Sequence, residues 1–312
     1  MITPKVGNTY RYDGTGFQAA TPKIYTGSEW KAIGQSFLLN DIPGAVGAWS
    51  LRQLDYNYTG PAVRVRRDNE TKDIGFTASG DLDVQALEDF AAGGNVYVEQ
   101  WYDQSGEGND ATQNTASDQP QIVSNGTVIT ENGKPAIDFD GNSTYLTIST
   151  MPVSVFDPKH TIICAVNEMH SNSGSCSQHK FTAENQRHYT FKGNNPDGGC
   201  SSDVGTYYYD NSINNRPLLD ISECVYNELV IKSLFATGDG AIEVRDGSSV
   251  DVGSGYTALS NRVSSTNFNI GAHPSHREYQ KARYTEHIIY PSDQSENRET
   301  IEDNIKTYYS IY

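Results

Sequence analysis

The chain has little of what would place it among metal, nucleotide or membrane proteins. Its 312 residues hold only 4 cysteines, Cys164, Cys176, Cys200 and Cys224, with no CxxC pair, which excludes a zinc knuckle. Their pairing stays open: disulfides would suit an extracellular particle, and buried thiols would suit assembly in a cytoplasm. Basic side chains are few, 23 against 39 acidic, and the net charge of −16 repels a phosphate backbone. The one basic cluster, Arg64, Arg66 and Arg67, alternates with Val63 and Val65 like the polar face of a strand. Pairing with local carboxylates is the plain reading of that cluster, and anion binding is its alternative. No segment reaches the roughly 20 apolar residues of a membrane span, and no apolar run follows Met1–Lys5, so a signal peptide is not expected. Also missing are a Ser-His-Asp signature, a nucleophile elbow, a phosphate-cradling glycine loop and HExxH, which removes serine hydrolase, nucleotide and zinc-protease chemistry.

What is there is β-structure. The 28 glycines and 20 tyrosines point to many strands and turns. Residues 1–40 read as two small hairpins around DGTG and TGSE, too small to fold alone and therefore a candidate attachment segment. Residues 41–312 read as one domain. Within it DLDVQALEDFAAGG predicts a short helix that Asp81 or Asp83 caps and Gly93–Gly94 ends. From Val96 onward apolar alternation dominates, as in VYVEQWY, AIDFDG, YLTIS, HTIICAV, HYTFKG, ELVIKSLF, NFNIGA and TEHIIY. These are the staves of two packed antiparallel sheets. The last 22 residues predict a helix capped by Ser292 or Ser295, with Ile301, Ile305 and Tyr308 at helical spacing.

Three groups invite a chemical reading. In WYDQSGEGNDATQ, Asp103 precedes Gln104-Ser105-Gly106, the order of a turn in which the carboxylate accepts backbone N–H bonds; Asp103 and Gly106 are expected to be structural. His273, His276 and His287 lie close in sequence, the first two in a loop with Pro274 and the third on the strand that follows, and a surface loop is the plainer reading than a metal site. Asp138 and Asp140 enter a turn at Gly141, where oxygen ligands would suit calcium and solvated turn residues are the plainer reading; no other cofactor is expected. The tyrosines Tyr189, Tyr207, Tyr208, Tyr209 and Tyr279, with His273, are candidate carbohydrate-binding residues, because exposed aromatic faces suit sugar rings or subunit contacts.

At AWSLRQLDYNYTGPAVRVRR, then WYDQSGEGNDATQ and the closing IIYPSDQSENRETIEDNIKTYYSIY, the chain resembles the catalytic domain of α-L-arabinofuranosidase B. It is also similar to related modules of tailed-phage virion proteins. The resemblance runs from about Ala45 to Tyr312 and implies an all-β, concanavalin A-like two-sheet β-sandwich (jelly roll) with a short internal helix and a C-terminal helix. It further implies a glutamate nucleophile on a mid-domain strand and an aspartate acid in a glycine-rich loop before the last strands. Here those places hold Arg187, His188 and Tyr189 in RHYTFKG, and His273 and Pro274 in IGAHPSHREY. The family's adjacent cysteine pair has one counterpart, around Cys176.

The expectation is a non-catalytic bacteriophage virion surface protein (head fibre, decoration or tail component). It would present a lectin-like domain to a host cell-surface glycan and attach to other virion proteins through residues 1–40. As a homo-oligomer assembled in the host cytoplasm it would gain by avidity. Its first rival is an active arabinofuranosidase-like glycosidase that degrades host surface polysaccharide with relocated acids, Glu184 with Glu278 or Glu286. Its second is an architectural capsid or tail protein without a ligand. No nucleic acid or membrane partner is expected.

Overall fold

The strands Lys159–Glu168 and Lys281–Tyr290 form the spine of the molecule, paired antiparallel along nearly their whole length. The computed structural model describes residues 37–149, 151, 159–169, 227–237, 268–272 and 279–312, together with the backbone of the strands at 9–12, 17–20, 23–25, 30–32, 178–183, 187–192, 241–246 and 249–254. Beyond Lys159–Glu168 the first sheet continues through Leu229–Thr237, Ala241–Asp246 and Ser249–Ser254. The other edge of Lys281–Tyr290 is shared by Ile137–Asp140 and Gly47–Ser50.

A second sheet runs antiparallel throughout, in the order Glu70–Ile74, Val63–Arg67, Val96–Trp101, Ala111–Thr112, Leu146–Ile148, Phe268–Ile270, Gln178–Ala183 and Arg187–Lys192. The strand Gln121–Ser124 joins the two, since Gln121 pairs with both Tyr97 and Asp138. The result is the all-β sandwich that the alternation predicts. Two hairpins, Thr9–Tyr12 with Phe17–Ala20 and Lys23–Tyr25 with Trp30–Ala32, stand outside both sheets. Among the described residues no helix is long and apolar enough to cross a membrane.

Alternation along the spine fills two cores. Ile162, Cys164 and Val166 face the second sheet, where they meet Trp49, Val63, Val98, Trp101, Phe139, Leu146 and Ile270. Ile163 and Ala165 face the other way, with Phe235, Ile288 and Tyr290, against Ile301, Ile305 and Tyr309 of the C-terminal helix Arg298–Tyr309. Burial on both faces explains why these strands read as near-continuous apolar runs. A bulge between Ala165 and Val166 inserts one residue in the facing strand, so Tyr284 points into the main core while Glu286 points to the helix.

There Glu286 holds Arg52 through two bonds of 2.7 and 2.9 Å and also accepts from Ser50 and Tyr309. Burial alone would lower the Arg52 pKa, but the charge of Glu286 and the bonds to it raise it. The Arg52 guanidinium, at 4.8 Å, and the Lys134 ammonium, at 4.0 Å, both lie over the Tyr308 ring, whose hydroxyl donates to Asp81.

The helix ends differ from expectation. Asp83 alone caps the internal helix Val84–Ala91, accepting from the Ala86 N–H at 3.0 Å, because Asp81 is bound to Lys134 and Tyr308. Ala92 adopts the left-handed conformation that closes that helix, one residue before Gly93. The C-terminal helix is entered through a 3-10 turn, Ser295–Asn297, and neither Ser292 nor Ser295 caps it. The Ser295 N–H donates to Asp293, and the Asn297 side chain donates to Gln294.

Candidate functional site

The stretch WYDQSGEGNDATQ clamps the strand Gly47–Ser50. Buried Asp103 accepts from the N–H groups of Ala48, Ser105 and Asn109 at 2.8 to 2.9 Å and from the Ser105 hydroxyl. Gln104 accepts from the Leu54 N–H and donates to the carbonyls of Ser50 and Arg52. Asn109 accepts from the Trp49 indole and donates to the Val46 carbonyl. Gly106 lies at φ +88°, where a side chain would be strained. A carboxylate bonded to backbone N–H groups of its own turn and of the strand anchors the turn to the strand.

The outer face of the second sheet is different. Its register aligns one row of polar residues across successive strands. Asp73 pairs with Arg64, Arg64 with Gln100, Gln100 with Thr112, Thr112 with Thr147 and Thr147 with Asn269. The same register continues to Thr182 and His188. Thr147 lies between buried Leu146 and Ile148, and Asn269 between buried Phe268 and Ile270, so strand pleating places these members of the row on the face opposite the core.

Within the row Thr147 Oγ1 donates to Asn269 Oδ1 at 2.9 Å, Gln100 Nε2 donates to Asp110 at 2.7 Å, and Arg64 grips Asp73 at 2.8 and 2.9 Å. The hydrogen bond from Arg64, together with one from Tyr102, holds Asp73 below its ordinary pKa, although burial opposes it. Tyr102 is pushed up to about 12, first by burial and then by its bond to Asp73. Trp101 is buried, whereas its neighbour Tyr102 is half-buried on this outer face. The signal was present in strand alternation, which sends neighbours to opposite faces.

Beside the row stand Tyr145 and Tyr279, half-buried, with ring centroids 6.3 Å apart and tilted by 42°. Tyr279 opposes Ala272 at the base of the 273–278 segment. The approach to that segment is fixed by Gly271 at φ +88°, where an added Cβ would strike the Phe139 ring. The exit is fixed by Gln280, whose N–H donates to the Gly271 carbonyl and whose amide donates to Glu168 at 2.8 Å. Glu168 in turn accepts from Lys232 at 2.8 Å, both fully buried, and the Gln280 carbonyl accepts from Tyr284.

The remaining candidates divide plainly. Glu286 is fully buried against Arg52. His287 is fully buried near the rings of Trp49 and Tyr284. Asp138 pairs with Arg283. Asp140 accepts from three N–H groups of its turn, which hold its pKa down although burial opposes them. Among the described residues no group of His, Cys, Asp or Glu is placed to hold a metal ion. The basic cluster pairs locally: Arg64 with Asp73, Arg67 with Glu70, while Arg66 donates to Gln119 and lies over Tyr97. Cys164 is fully buried, and its thiol donates to the Lys232 carbonyl at 3.5 Å. Glu184, Tyr207, Tyr208, Tyr209, His273, His276, Glu278 and the other cysteines lie outside the described residues, as does the side chain of Tyr189.

The family model described as "Alpha-L-arabinofuranosidase B, catalytic" matches residues 41–208, and the chain belongs to that family. Among solved structures, a GH54 α-L-arabinofuranosidase soaked with a cyclic sulfate inhibitor superposes at a TM-score of 0.62 with 18% identity, over 88% of this chain and 65% of that one. A glutamate-to-glutamine mutant of a GH54 α-L-arabinofuranosidase soaked with 4-nitrophenyl α-L-arabinofuranoside gives 0.62 with 20% identity over 88% and 65%. An arabinofuranosidase complexed with arabinofuranosyl-α-1,2-xylobiose gives 0.59 with 19% identity over 88% and 64%. The chain thus spans less than two thirds of these relatives' length, and identity this low speaks for the fold alone. The comparison with curated proteins returned no match.

Proposed function

We propose that the chain is an arabinofuranosidase-like glycosidase domain that acts on arabinofuranosyl-bearing polysaccharide across the outer face of its second sheet. The observation that carries this reading is the polar row, which runs from Asp73 to the register position of His188; all its members except Asn269 lie within the segment that the family model matches. Its hydroxyl and amide groups suit sugar hydroxyls, and Tyr145 and Tyr279 supply apolar faces. Hydrolysis needs two carboxyl groups across the scissile bond, roughly 5 to 9.5 Å apart. Glu184 follows the strand Gln178–Ala183 and Glu278 precedes Tyr279, so in sequence both adjoin the elements that carry the row. Glu286 is the weaker partner, because it is buried in its bonds to Arg52.

A second reading, a non-catalytic glycan-binding domain, has its own supporting observation. The buried carboxylates among the described residues, Asp103, Glu131, Glu168, Glu286 and Glu302, all hold N–H or ammonium partners. The expected nucleophile and acid positions carry Arg187, His188 and Tyr189, and His273 and Pro274. In that reading the chain is a virion surface protein of a tailed phage, oligomeric and attached through residues 1–40.

One experiment separates the two. The purified chain is incubated with 4-nitrophenyl α-L-arabinofuranoside and with arabinose-decorated xylan, and sugar release and retention are recorded together. Release that Glu184→Gln or Glu278→Gln abolishes supports hydrolysis. Retention without release moves the chain to the second reading.

A further inference from the structure

At the Asp73 end of the polar row lies an open groove of about 390 Å³, lined by Gln53, Tyr58, Thr59, Gly75, Phe76 and Thr77 among others, none of them charged. We infer that this groove is a second saccharide-binding site, which takes a neutral stretch of a polysaccharide chain distant from the residue held on the row.

The lining has the chemistry of a sugar site. Tyr58 and Phe76 meet edge to face, 6.3 Å between centroids at 73°, which leaves the faces of one ring uncovered by the other. Pyranose and furanose rings stack on such faces through their C–H groups. The Thr59 side chain is exposed, the Thr77 hydroxyl shares a bond with Ser79, and the Tyr58 hydroxyl donates to the Pro61 carbonyl while keeping acceptor capacity. Gly75 opens the wall, since an added Cβ there would meet no atom within 4 Å.

Absence of charge in the lining favours a neutral ligand, and the net charge of −16 disfavours a polyanion. The larger cavity, about 530 Å³ beside the end of the C-terminal helix, contrasts with it: Glu131, Glu228, Glu302 and Lys306 line that one. The groove adjoins the Asp73 end of the row because Pro61 and Gly75 of its lining flank the bond from the Ala62 N–H to the Ile74 carbonyl, and Asp73 precedes Ile74 in its strand. One extended chain can therefore occupy both. The inference rests on the saccharide reading of the row, and its test keeps the two apart.

Gly75→Leu fills the groove without backbone strain, because Gly75 does not adopt a left-handed conformation. Native electrophoresis in gels containing arabinoxylan, with polygalacturonate as the anionic control, reads binding as retardation. Wild type is expected to be retarded by arabinoxylan only. Gly75→Leu and, independently, Thr59→Val with Phe76→Ala are expected to weaken retardation at least threefold, with the thermal midpoint of Gly75→Leu unchanged and small-furanoside release or binding intact. Unchanged retardation in Gly75→Leu, equal retardation by polygalacturonate, or no retardation of wild type overturns the proposal. Loss in Gly75→Leu with none in Tyr279→Ala keeps the groove and removes the row. The converse removes the groove and keeps the row.

Discussion

The two sheets of this sandwich use polar residues in opposite ways. The spine of the first sheet is buried on both faces, and its charged groups, Lys232 with Glu168 and Arg52 with Glu286, are matched in dry surroundings. The second sheet buries one face and turns the other, with Arg64, Gln100, Thr112 and Thr147, towards solvent. A buried ion pair contributes little net stability but is costly to break, whereas half-exposed hydroxyls and amides cost little to change and remain available to a ligand. Polar chemistry in the first sheet therefore holds the fold, and polar chemistry in the second is where recognition can reside.

The sharpest way to break that division is Lys232→Met. It leaves Glu168 buried without its ammonium partner and is expected to lower unfolding stability by about 3 to 5 kcal/mol in chemical denaturation. Adding Glu168→Gln, which keeps an acceptor for Gln280, recovers most of the loss; no recovery would mean that the cost lies in packing and not in charge. Asp103→Ala comes next. It strips acceptors from Ala48, Ser105 and Asn109, and a loss of about 2 to 3 kcal/mol is expected, while Asp103→Asn recovers part of it.

His287 gives the comparison a pH axis. Burial lowers its pKa to about 3, whereas the unfolded chain has the ordinary value of about 6.5. The unfolded state therefore binds more protons between these values, and stability falls as pH drops from about 6.5 towards 3, with a limiting slope of about 1.4 kcal/mol per pH unit. His287→Gln should flatten that segment of a stability-against-pH curve, and a slope that persists would place the titration elsewhere.

How much of this was legible in the sequence follows the same division. Alternation revealed the strands, and Asp83, Gly93 and the Ile301–Ile305 spacing revealed the helices, because these signals are local. The ion pairs were not legible: in ELVIKSLF, Lys232 resembles any outward lysine, and its partner Glu168 stands 64 residues away. The polar row was half legible. Thr147 and Asn269 each stand as one polar residue between apolar neighbours, but only the register reveals that Gln100, Thr112, Thr147 and Asn269 fall in line. The Asp103 turn was readable from its spacing, while its reach to Ala48, 55 residues away, was not.

The smallest structural effect tests the functional half of the contrast. Tyr279→Ala removes a half-buried ring beside Tyr145 and should cost about 1 kcal/mol of stability or less, because the ring packs at the edge of the fold and not between the sheets. If the outer face recognises sugar, the same change weakens retention on arabinoxylan severalfold, and Thr147→Val, nearly isosteric and without the hydroxyl that donates to Asn269, weakens it further. Large losses of retention beside small losses of stability are what separate a binding face from a structural one. A proportionate loss of both would make Tyr145 and Tyr279 part of the scaffold and leave the second sheet no different in kind from the first.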